Sequence, residues 1–93
     1  MKVKTSIGYV TEIEEKKAID YETTYILGAL QKATDSNAMV YMTKLLNKLF
    51  GSEEKVFEFF DYVKSKNDGI VSQDIVSDTI KEIFEALGNN KKK

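Results

Sequence analysis

Residues 38–63, AMVYMTKLLNKLFGSEEKVFEFFDYV, constrain the fold more than any other part of the chain. Met39, Met42, Leu45, Leu46, Leu49 and Phe50 recur at three- and four-residue steps, which gathers them on one face of a helix. Gly51 suits the left-handed position just past a helix end, because it has no Cβ to clash. Ser52 can cap the next helix, with Glu53 and Glu54 in a first turn whose free N–H groups favour carboxylates. Val56, Phe57, Phe60 and Val63 are expected to continue the apolar stripe. The pattern predicts a helical hairpin with an aromatic seam, against which the rest of the chain packs.

The flanking sequence supplies the partners. Over residues 1–15, Val3, Thr5 and Ile7, then Tyr9, Thr11 and Ile13, alternate around Gly8, which predicts two very short strands or an extended arm. A helix then begins either near Glu14 or at Asp20 as N-cap, with Tyr25, Ile26, Leu30 and Ala33 as its apolar face. Thr34 to Asn37 is a run of turn and capping residues expected to stop it. Asn67-Asp68-Gly69 signals a turn after the hairpin. Ser72 is a second candidate N-cap, with Val71 and Val76 at the spacing of a hydrophobic staple. The last helix carries Ile80, Ile83, Phe84 and Leu87, is expected to end at Gly88, and leaves a disordered polar tail over 89–93. The fold class is mainly α: a small four-helix domain over 16–88 with a short N-terminal β-hairpin or extended arm.

Composition removes whole classes of chemistry. The 93 residues carry a net charge of −1, and all 14 basic residues are lysine. Without arginine the chain has no bidentate fork for phosphates or base edges, so no nucleic-acid partner is expected. It contains no His and no Cys, which removes the usual zinc ligands and the bases of Ser-His or Cys-His catalysis. No apolar run approaches the roughly 20 residues that span a bilayer, so no membrane partner is expected. Residues 64–75 resemble an EF-hand loop at Asp68-Gly69, but that register puts Lys64, Lys66 and Ile75 where calcium needs oxygen ligands. Paired carboxylates such as Glu14-Glu15 and Glu53-Glu54 lie at helix starts or solvated faces. The expectation is therefore a non-enzymatic protein with no catalytic, cofactor or metal residues.

The aromatic residues are the candidate site. Tyr41, Phe57, Phe59, Phe60 and Tyr62 are dense for so small a core. Phe59 projects about 160–200° from the middle of the stripe. Either other helices bury the hairpin on both sides, or Phe59 and Tyr62, or the neighbourhood of the mid-chain methionines, form an exposed contact patch.

The order of features resembles the small tail assembly chaperones of long-tailed phages and prophages of Gram-positive bacteria. The resemblance rests on Lys4-Thr5-Ser6-Ile7-Gly8-Tyr9 with Glu12-Ile13-Glu14-Glu15, on Asp20-Tyr21-Glu22, and on Leu45-Leu46 with Leu49-Phe50-Gly51. It continues in Asp68-Gly69-Ile70-Val71-Ser72 with Glu82-Ile83-Phe84. Ser6-Ile7-Gly8 departs from the bare Ser-Gly turn of that pattern. The resemblance implies binding to the tape measure protein, and in some cases the tail tube protein, in the host cytoplasm. It also implies self-association into a homo-oligomer, with the arm reaching a neighbour, and absence from the mature virion. The alternatives are another small morphogenesis or connector protein and a regulatory, protein-binding helical module.

Overall fold

A computed structural model describes residues 1–91. β1 (Lys2–Lys4) pairs antiparallel with β2 (Val10–Glu12), Val3 facing Thr11 across the ladder. The strands are shorter than the alternation predicts, because the chain turns early. The Gly8 amide donates to the Thr5 carbonyl at 2.9 Å, and Gly8 adopts a φ of 97°. The alternation still sorts the faces. Val3, Thr5 and Ile13 are buried, and Ile7 and Tyr9 are half-buried.

The hairpin packs on the helices of its own chain. The Tyr9 ring lies 5.1 Å from that of Phe59 and 5.3 Å from that of Tyr62, within the usual range for aromatic pairs. The Tyr62 hydroxyl donates to the Ile7 carbonyl at 3.1 Å. A Cβ at position 8 would stand 2.7 Å from that hydroxyl, so the glycine is needed for close approach as well as for its φ. Glu82 completes the attachment: its two carboxylate oxygens accept from the Ser6 amide at 2.7 Å and the Ser6 hydroxyl at 2.6 Å.

The helices are α1 (Glu15–Ala18), α2 (Tyr21–Lys32), α3 (Asp35–Phe50), α4 (Glu53–Lys66) and α5 (Gln73–Lys91). α3 is the hub, touching α1, α2, α4 and α5. Both serine caps form: the Lys55 amide donates to Ser52 Oγ at 3.3 Å and the Ile75 amide to Ser72 Oγ at 3.2 Å. Gly51 takes the left-handed φ of 96° that ends α3. The Gly69 amide reaches back to the Lys64 carbonyl at 2.8 Å and closes α4.

Asp20 holds the N-cap position of α2, but its carboxylate forms no cap bond. It pairs instead with Lys48 Nζ at 2.6 Å, and the same ammonium meets Glu22 at 2.6 Å, which ties the start of α2 to α3. The hydrogen bond to Lys48 holds the Asp20 carboxyl below the usual carboxylate range. The bonds to Asp20 and then Glu22 raise Lys48.

Three expected boundaries and faces are corrected. α2 stops before the Thr34 to Asn37 run as expected, at Lys32, but residues 35–37 already open α3, because small polar residues suit a first helical turn as well as a loop. α5 runs through Gly88 to Lys91, since Gly88 does not take the left-handed φ of Gly51. Of the tail expected over 89–93, residues 89–91 continue the helix and 92–93 lie outside the described residues. On α2 the buried residues are Thr23 and Ile26, whereas Tyr25 is exposed. The Thr23 hydroxyl donates to the Lys17 carbonyl, which makes a buried threonine the link between α1 and α2.

Candidate functional site

The five candidate aromatics do not form one patch. Phe59 is wholly buried, with ring contacts to Tyr9, Phe50 at 5.5 Å and Phe60 at 6.0 Å. Of the two readings open for Phe59, burial is the one found: α4 buries Val56, Phe59 and Val63, a stripe rotated from the one that included Phe57. The cause is the hairpin, whose Tyr9 covers the side of α4 where Phe59 points. Tyr62 lies half-buried under the same hairpin, with Lys66 Nζ 5.7 Å from its ring centre. Burial, and then the Glu58 carboxylate, push the Tyr9 phenol above its ordinary value. Phe59 and Tyr9 thus belong to the packing between α4 and the hairpin.

Tyr41 lies elsewhere, in a cleft between α2 and α3 with Tyr25 and Ile26, and Lys44 Nζ stands 5.8 Å from its ring centre. Phe57 meets Phe60 edge to face at 5.7 Å, and Phe60 in turn lies against the buried Phe59. Phe57 and Phe60 occupy the face of α4 opposite the hairpin. Phe57 is 54% exposed and Phe60 half-buried.

Beside Phe60 runs an apolar groove of about 270 Å³ between α3, α4 and the start of α5. Met42 and Val76 are its buried floor, and Met39, Phe60 and Val71 its walls. Met39, which its spacing places on the apolar face of α3, lies one turn from the start of that helix and is 57% exposed, in keeping with an exposed patch around the mid-chain methionines. A methionine at a groove wall is an adaptable contact, since its unbranched thioether repacks easily. Sequence periodicity could have found this wall only through the staple pair Val71 and Val76, which places the α5 start against the α3–α4 hairpin.

A second cleft, lined by Leu27, Leu30, Ile80 and Phe84, separates α2 from α5, with Lys81 and Glu85 on its rim. Among the described residues no cluster of three or more His, Cys, Asp or Glu could hold a metal ion, and no helix is long and apolar enough to cross a membrane. The arrangement leaves apolar and aromatic surface exposed on α3 and α4. No protein family, no curated protein and no solved structure matches the sequence or the fold.

Proposed function

We propose that this chain is a non-enzymatic phage tail assembly chaperone, which binds the tape measure protein and keeps it soluble while the tail tube assembles. The observation that carries this reading is the Phe57–Phe60–Met39 surface on the α3–α4 hairpin. Apolar side chains are held there at the surface by helices whose other faces form the core. A long helical client exposes apolar stripes before its partner is built around it, and an apolar groove on a charged domain masks such a stripe reversibly. The sequence resemblance supplies the identity of the client. Contact with the tail tube protein, self-association around the client, action in the host cytoplasm and absence from the finished particle belong to the same reading.

Co-expression with the tape measure protein of the same phage or prophage tests it. The client should stay in the soluble fraction and co-purify with this chain. Phe57→Asp, at a position more than half exposed, should abolish both while leaving the chain folded. A client that precipitates equally with and without this chain would overturn the reading.

A further inference from the structure

We propose that α5 pairs antiparallel with the α5 of a second copy of this chain, about a two-fold axis that passes between Glu82 and Ile83 and closes the cleft between α2 and α5. This rests on the reading above, in which copies of the chain associate, and gives that association a surface. The cleft exists because α2 and α5 each pack on α3 and little on one another. Leu27, Leu30 and Phe84 stay half-buried on its walls. The spacing on α5 selects the occupant. At about 100° per residue, Ser77, Lys81, Phe84 and Gly88 fall within about 60° of one another. Their steps of four, three and four read the same in both directions, so an antiparallel copy sets each on a member of the same stripe. Ser77 of one copy then faces Gly88 of the other, two small residues that let the helices approach closely. Lys81 of one copy lies over the Phe84 ring of the other.

Charge selects the same occupant. Among the described residues neither Lys81 nor Glu85 forms an ion pair, although both are exposed and only four positions separate them. α2 brings Leu27 and Leu30 to the cleft and no charge, so neither has a counterpart on the facing wall. A partner of one sign would satisfy one of them and repel the other. A second copy satisfies both, because Glu85 lies about 40° beyond Lys81 on one flank, and the two-fold axis keeps like flanks on the same side. Asp78 and Glu82 lie further round α5, and Glu82 is already held by Ser6. Gly88 has no reason within its own chain, since a Cβ there would touch nothing within 4 Å and glycine weakens a helix interior. A second helix passing close to it supplies one.

Analytical ultracentrifugation of the full chain tests the pairing. At about 0.1 mM the chain should sediment mainly as a dimer, as a dissociation constant of about 10 μM gives. Lys81→Glu and Glu85→Lys should each weaken the dimer by at least about ten-fold, because each sets like charges against each other across the axis. Circular dichroism should show unchanged helix content, since both side chains are exposed. The double variant Lys81→Glu, Glu85→Lys should dimerise again. An equimolar mixture of the two single variants should form a mixed dimer that neither forms alone. A monomer at that concentration, or failure of either rescue, would overturn the proposal. So would association of any order that both charge reversals leave intact, whether or not Phe57→Asp dissociates it. A chain that stays monomeric yet keeps the client soluble overturns this proposal alone. A charge-dependent dimer beside a client that precipitates leaves the pairing standing and overturns the chaperone reading.

Discussion

Phe57 and Phe59 stand two positions apart on α4 and do opposite work. Phe59 is wholly buried among Tyr9, Phe50 and Phe60, so truncating it removes edge-to-face contacts and leaves a cavity that three different elements would have to close. Phe59→Ala should cost about 3–5 kcal/mol of unfolding free energy, and Phe57→Ala no more than about 1 kcal/mol. Urea titrations followed by circular dichroism measure both, and similar losses for the two variants would refute the assignment of faces. Periodicity on α4 was legible only to within one residue, because Val56, Phe57, Phe59, Phe60 and Val63 satisfy two overlapping stripes. The choice between them is made by Tyr9, some fifty positions away, and helical spacing carries no information about so distant a neighbour. Capping was far easier to read. Ser52, Ser72 and Gly51 act through bonds to their own helix ends, and a local rule sufficed.

Among the elements, the hairpin depends least on its own ladder and most on what holds it. Two strands of three residues cannot stand alone in water. Val3 and Ile13 bury their side chains in the common core, and two polar attachments fix the turn: the Glu82 clamp on Ser6 and the Tyr62 hydroxyl on Ile7. The clamp uses both carboxylate oxygens, and it spans 76 positions of sequence. Glu82→Ala should therefore free the Ser6 amide and loosen the turn, at a cost of about 1 kcal/mol because the site is exposed. Hydrogen exchange should accelerate at Ser6 and Gly8 and stay unchanged in the middle of α3; unaltered exchange at Ser6 would show that the clamp does not hold the turn. Alternation made the strands legible, and the turn residues made their separation legible. Neither could show whether the hairpin faces its own helices or another subunit, since an apolar strand face reads the same in both cases. The opening of α3 was hidden for a related reason. Ser36 and Asn37 serve a turn or a first helical turn equally, and only the packing of Met42 and Leu45 against the other helices decides.

For the whole molecule the question is whether the N-terminal hairpin is an appendage or part of the fold. The radius of gyration is 12.7 Å, against about 12.3 Å expected for a single body of this length, so the described residues form one compact body. Inside that body Ile13 is wholly buried, Val3 nearly so, and Tyr9 covers Phe50 and Phe59. Deleting residues 1–13 removes two core side chains worth about 1.5–3 kcal/mol each and uncovers two phenylalanines. Set against a typical margin of about 5–15 kcal/mol, and less for a thin-cored chain, the loss takes much of the stability. The helices themselves keep their caps and their mutual packing around α3. The truncated chain should therefore retain most of its far-ultraviolet helix signal, lose its sharp thermal transition, and bind a dye specific for exposed apolar surface, as chains do when collapse outlasts specific packing. The resemblance implies a different outcome, since trimming an arm that reaches a neighbour would lower the oligomeric state. Calorimetry and sedimentation on the same sample separate the two. A truncated chain that melts as cooperatively as the full one, at a lower mass, would show that the hairpin's place is at a subunit boundary, whereas loss of the transition shows that it completes the core.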